Sequence, residues 1–210
     1  MNPVAKQISW IAVFFIGLGF QGMPELFRRS ERAYKIMGVW VRNLGILIFA
    51  MPIILAPFDA QPRIEGVLGY SFRIVGIILA VLGIIFIAVA SKYLLKVAGL
   101  EQIPRELITD GIYGKVRNPI YTGVVLSTIG WSLIWGATYS FFIITGIVTL
   151  ILLALIKFLE EPMLTKSFGD KFLDYRRRAP MLFPLPIGIA LIALAITMIA
   201  FVVTGLVPLT

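Results

Sequence analysis

Glu160 and Glu161 stand side by side at the end of a long apolar run, with Pro162 directly behind them. A carboxylate at membrane depth is costly unless it meets a partner or a ligand. Two carboxylates placed there, in surroundings otherwise dominated by cations, point to a role for at least one of them. The plainer reading is that they mark the water interface, with Lys157 and Glu161 forming an i,i+4 pair of little energetic weight. A second polar segment runs from Glu106 to Gly123 and contains Arg117-Asn118-Pro119. Pro119 suits the first turn of a helix, where its missing N–H costs nothing, and Asn118 before it suits the cap. The free amides of such a helix start favour a carboxylate or a phosphate. Arg117 reads as a topology determinant or as the ligand of an anion, and Asp110-Gly111 marks a turn.

The residue types that are missing narrow the chemistry further. The chain has no histidine and no cysteine, which excludes imidazole bases, histidine metal sites, thiol nucleophiles and iron–sulfur clusters. No metal partner is expected. The net charge of +8 reflects loop topology and contact with anionic membrane lipids rather than with nucleic acid.

The elements that must carry these groups are membrane helices. Apolar residues make up 59% of the 210, charged residues only 14%, and mean hydropathy is +0.95, which excludes a soluble globular fold and disorder alike. About 20 apolar residues cross the hydrocarbon layer. The stretches that qualify are Ser9 to Gly22, Val39 to Phe58, Phe72 to Ala90, Pro119 to Trp135, Tyr139 to Phe158 and Leu185 to Val207. They predict an all-α integral membrane bundle of about six transmembrane helices, residues 1–210 forming a single membrane domain. The first stretch is short, but no small-residue cleavage site follows it, so it reads as a span rather than a leader. Basic residues crowd the segments after spans one, three and five, while only Lys6, Arg63 and Arg73 fall on the other side. The positive-inside rule then puts both termini outside and those three loops in the cytoplasm. Gly136 to Thr138 leaves room only for a tight antiparallel hairpin between spans four and five, which brings the two polar segments together at its cytoplasmic end. Gly76, Ala80 and Gly83 in span three, and Gly123, Ser127 and Gly130 in span four, let helices approach closely; a lipid cleft is the lesser reading. Phe168, Phe172 and Tyr175 recur at helical spacing as an amphipathic face on the membrane, and Arg176 to Arg178 as a headgroup cluster.

At these residues the sequence resembles a known superfamily. The run ELITDGIYGKVRNPIYTG, a helical hairpin, and then EEPMLTKSFGDKFLDYRRRAPMLFP are similar to the paired elements of the isoprenylcysteine carboxyl methyltransferases and phospholipid methyltransferases. The resemblance covers roughly residues 106 to 184, between N-terminal helices in 1–105 and a last helix in 185–210. It implies S-adenosylmethionine as cofactor and a lipophilic acceptor, either a phospholipid amine or a prenylated cysteine carboxylate on a small molecule or peptide. Carried over by motif, Gly111, Tyr113, Arg117, Asn118, Pro119, Tyr121, Glu160, Glu161 and Tyr175 are implied to bind the cofactor, with Glu161, Arg117 and Glu160 closest to the chemistry; Gly123, Phe168 and Gly169 complete the pattern. Asn118 stands where carboxyl methyltransferases often carry histidine, and Met181 where members often carry arginine. Together with Glu-Glu-Pro, a form familiar from phospholipid N-methyltransferases, this leans the acceptor towards an amine. In-line methyl transfer from a sulfonium needs positioning and electrostatics rather than histidine or cysteine. The rival readings are a nicotinamide-dependent membrane reductase of the sterol reductase type, and a non-catalytic transporter or scaffold, the latter favoured if the two segments lie far apart.

Overall fold

The computed structural model describes residues 2–23, 37–98 and 106–204, so the basic residues Arg28 to Lys35, Arg105 and the last residues of the predicted sixth span lie outside the described residues. The named elements of the described chain are all helices, joined by irregular segments. Helix α1 is Pro3–Gly22. It begins earlier than the apolar window suggested, because the Asn2 side chain caps it, accepting from the Val4 amide at 2.9 Å, and Pro3 sits in its first turn. Helix α2 (Arg42–Leu55) follows a π-turn at Met37–Val41 and ends in a 3₁₀ turn, Ala56–Phe58. Helix α3 (Gly66–Ala98) has 33 residues, about 50 Å at the α-helical rise, and so extends beyond the apolar window at both ends. Helices α4 (Pro119–Ile134) and α5 (Thr145–Leu155, with π-turns Ser140–Ile144 and Ile156–Glu160 at its ends) form the hairpin, and α5 runs on into α6 (Glu161–Phe168). Short α7 (Asp170–Arg178) and long α8 (Leu185–Val203) complete the described chain.

Among the described residues, four helical segments are long and apolar enough to cross a membrane, namely Pro3–Gly22, Gly66–Val97, Ser140–Phe168 and Leu185–Val203, while Arg42–Phe58 and Pro119–Ile134 are shorter apolar helices. Ile74, Ile84, Leu150, Ile192 and Val203 are all more than half exposed, as side chains that face lipid must be. The core lies between the helices around Phe14, Val125, Ile129, Leu133, Phe141, Val148, Leu152 and Met198.

The small-residue seam is a packing seam. A methyl group added to Gly76 would lie 2.7 Å from the Gly130 carbonyl oxygen, and one on Gly130 would lie 2.5 Å from the Ala80 nitrogen. Backbone therefore touches backbone along α3 and α4. Gly123 belongs to this seam, against Gly83 and Ile87 of α3.

The hairpin turn is pinned by the segment between α2 and α3. The Ile64 amide donates to Gly136 O at 3.0 Å, the Thr138 amide to Pro62 O at 3.2 Å, and Arg63 to Trp135 O at 2.8 Å. At the same end, fully buried Gln7 donates to Ala56 O and accepts from the Ser140 hydroxyl, while Asp59 holds Lys6 at 2.7 Å and the Trp10 indole at 2.8 Å. Lys6 and Arg63, two of the three basic residues assigned to the less basic side, thus share one end of the bundle. Arg117, Lys157 and Arg176 share the other, around Glu161.

Candidate active site

Pro162 shapes the first half of the site. Its ring cannot donate to the carbonyl four residues back and clashes with it. The helix meets this with the wider π-turn at Ile156–Glu160 and then resumes as α6. Glu160 and Glu161 straddle this junction. Gly169 ends α6 with φ +53°, a left-handed conformation that glycine adopts without steric cost, and α7 starts directly after it.

The second half is the loop 106–118. Asp110-Gly111 forms the expected turn: the Tyr113 and Gly114 amides both donate to Asp110 O, at 3.1 and 3.3 Å. Gly111 has φ +57°, a backbone conformation that favours glycine, and the end of the Tyr93 side chain packs against it, with its hydroxyl oxygen 2.8 Å from where a Cβ would lie. The Arg117 amide donates to Pro180 O at 2.8 Å and the Asn118 amide to Met181 O at 3.3 Å. The Asn118 side chain is not the expected helix cap. Its amide also donates to Met181 O, at 3.0 Å, stitching the loop to the segment after α7. Thr122, buried one turn into α4, extends the stitch by donating to Leu182 O at 2.6 Å. Met181 therefore contributes its backbone.

Arg117 is the hub of these contacts. One terminal nitrogen donates to Arg176 O at 2.5 Å and to Ala179 O at 3.1 Å; the other meets Glu161 Oε1 at 2.9 Å. A cation at the C-terminus of α7 is favoured by the carbonyls exposed there. Its Nε is buried without an acceptor among the described residues. Burial pulls the guanidinium below its ordinary pKa range, and the Glu161 charge opposes that shift. Glu161 also has Arg176 at 3.7 Å and, as the i,i+4 spacing predicted, Lys157 at 3.8 Å.

Glu160 has a different environment. It accepts a hydrogen bond from the Tyr121 hydroxyl, and no cation pairs with it among the described residues. Tyr113 lies nearby: burial, with a smaller contribution from the Glu160 charge, pushes its hydroxyl up to about 12. The Tyr175 hydroxyl donates to Tyr113 O at 2.7 Å, and burial raises its pKa too.

The two polar segments are therefore in direct contact. Of the residues singled out from sequence, Arg117 and Glu161 are bonded to each other, as are Tyr121 with Glu160 and Tyr175 with Tyr113, while Gly111 and Pro119 shape the backbone that carries them. The aromatic face of α7 needs correction. Phe172 and Tyr175 are 1% and 5% exposed and pack with Ala179, Leu107, Leu164 and Phe168, so protein rather than membrane covers them. Thr122 and Tyr93 escape a reading by residue type, because a threonine and a tyrosine beside apolar helices signal nothing until their partners are in place.

Fold and site together define a helical membrane protein with a polar centre at the open end of a helical hairpin. The model of the phospholipid methyltransferase family matches residues 64–171, just over half of the chain, and the chain belongs to that family of membrane methyltransferases. A protein-S-isoprenylcysteine O-methyltransferase of Schizosaccharomyces pombe is 35% identical over 85 residues, which cover 38% of this chain and 33% of that protein. A methanethiol S-methyltransferase of Crocosphaera subtropica is 26% identical over 85% of this chain and 78% of its own length. No solved structure matches the chain.

Proposed function

We propose that the protein is an S-adenosylmethionine-dependent methyltransferase whose acceptor is a lipid amine arriving from the bilayer, with the site formed by residues 106–184 at the cytoplasmic end of the hairpin. The observation that carries this reading is the contrast between the two adjacent glutamates. Glu161 is surrounded by Arg117, Arg176 and Lys157, whereas among the described residues Glu160 pairs with no cation and is met by the Tyr121 hydroxyl. A carboxylate without a cation, at the end of an apolar helix, is suited to receive a cationic or proton-bearing group. A protonated lipid amine is such a group, and a prenylcysteine carboxylate is not.

The donor set suits the cofactor as well. Its ammonium and ribose hydroxyls call for a carboxylate, which Glu161 supplies, and its carboxylate calls for an N–H such as the Arg117 Nε, which has no acceptor among the described residues. Tyr113 and Tyr121 offer aromatic surface for the adenine. When bound, S-adenosylmethionine supplies a methyl group on a sulfonium, open to in-line displacement. The chain's own task is to hold the acceptor nitrogen in line and to remove its proton. With no histidine present, Glu160 takes that proton, while the Tyr121 hydroxyl holds the carboxylate in place. Arg117 fixes the position of Glu161.

The test is to incubate purified protein with methyl-labelled donor and, separately, phosphatidylethanolamine, a farnesylated cysteine and methanethiol. Base-stable label in the phospholipid is expected, at a rate that climbs as pH approaches the amine's pKa. Label appearing only as a base-labile ester refutes the amine reading. Label in methanethiol supports a second reading, a thiol acceptor, which the length of the match to the Crocosphaera protein favours.

A further inference from the structure

Beside Glu161 opens a groove of about 450 Å³ lined by Lys157, Pro162, Thr165, Lys166 and Arg176 together with Glu161 itself. Its charge is unbalanced. Three cations face one carboxylate, and that carboxylate is already matched by the buried guanidinium of Arg117 at 2.9 Å. Arg176 and Lys157 stand 3.7 and 3.8 Å from Glu161, beyond hydrogen-bond distance. Lys157, Lys166 and Arg176 are exposed, so their donors are free to take another acceptor. Next to the groove, on the same helical run, Phe158, Leu159 and Met163 are 76%, 62% and 49% exposed. A cationic groove bordered by bare apolar surface suits an amphiphile whose head is an anion and whose tail lies in the bilayer.

Resting on the lipid-amine reading above, we propose that this groove is the subsite for the acceptor's phosphate. Lys157, Lys166 and Arg176 hold the phosphodiester there, while the amine a few bonds further along the headgroup reaches Glu160. The site then recognises both charges of a zwitterionic headgroup. The cationic side sets affinity, and the carboxylate side sets which atom is presented for methylation.

The test uses the full-length protein in uncharged detergent micelles and the double variant Lys157→Gln/Lys166→Gln. Both side chains are exposed, so folding is retained. The variant is expected to raise KM for phosphatidylethanolamine about tenfold relative to its KM for a long-chain alkylamine that lacks phosphate, with the affinity for S-adenosylhomocysteine unchanged. An equal rise for both acceptors, or no rise for either, overturns the proposal. Weakened S-adenosylhomocysteine binding overturns it as well, since the groove would then serve the cofactor's carboxylate. Calorimetry with a short-chain phosphatidic acid and with inorganic phosphate separates this idea from the lipid-amine reading. Binding of the short-chain lipid, lost in the variant, upholds the phosphate subsite even where no amine is methylated. Inorganic phosphate binding as tightly as the lipid shows a free-anion site and overturns the assignment to the acceptor. Absence of binding by both ligands, with methylation intact, also overturns it.

Discussion

The guanidinium of Arg117 meets the carboxylate of Glu161 at 2.9 Å, with side chains 9% and 7% exposed, and so ties together segments separated by 44 positions of sequence. Breaking a buried ion pair from one side strands the other charge, at a cost of about 3–5 kcal/mol. Glu161→Ala and Arg117→Ala are therefore expected to lower thermal stability in detergent as well as S-adenosylhomocysteine affinity. The double variant should lose less than the two single losses combined. Strict additivity in a calorimetric double-mutant cycle would contradict the coupling.

Glu160 and Tyr121 separate chemistry from binding. Glu160→Gln keeps the shape and removes the proton acceptor, and a drop in kcat of about 100-fold or more is expected for an amine acceptor. Tyr121→Phe removes only the hydrogen bond and should lose about tenfold. S-adenosylhomocysteine affinity decides the interpretation: if both variants lose it in step with kcat, Glu160 serves the cofactor instead.

Tyr113 gives a pH signature of its own. Its pKa is raised from 10.0 to about 12 by burial, so the folded state keeps its proton where the unfolded chain loses one. That contribution is fully present below about pH 10 and is lost as pH rises towards 12. Unfolding temperature should accordingly fall across this window, and fall less in Tyr113→Phe. Catalytic titrations between pH 7 and 9 then do not belong to Tyr113; a rate change in that range that disappears in Tyr113→Phe would reverse this conclusion.

Gly130→Ala tests the α3–α4 seam. The added methyl would lie 2.5 Å from backbone of Ala80, and overpacking of this kind costs about 1–3 kcal/mol. Gly146→Ala meets nothing within 4 Å and should be neutral or stabilising. Equal melting temperatures for the two variants in the same detergent would argue against close helix contact.

Reporter fusions test the topology. Sixteen of the 19 basic residues fall in the segments assigned to the cytoplasm, so an alkaline phosphatase fused after Thr210 should be active and one fused within the loop 106–118 inactive. Activity in the reverse pattern would place the site on the other face.

Much of this architecture is legible along the chain because bilayer thickness and charge sidedness are local constraints. Each apolar run must be helical to satisfy its own backbone, the three residues Gly136 to Thr138 permit only a hairpin, and the glycines on α3 and α4 recur at a spacing that serves close contact. Other features were settled only in three dimensions. Neighbouring residues on a helix point about 100° apart, so nothing in the pair Glu160-Glu161 says which one faces Arg117 and which faces Tyr121. The packing of the loop 106–118 and α7 against the hairpin end decides that. The aromatic stripe of α7 has the same periodicity whether lipid or protein covers it, and Leu107, remote in sequence, together with Leu164 of the preceding helix turned out to be its cover. Arg117 is the sharpest case. By residue type it is a cation awaiting an anion, and the fold supplies that anion from Glu161 because desolvating either charge alone costs more than bringing the two together.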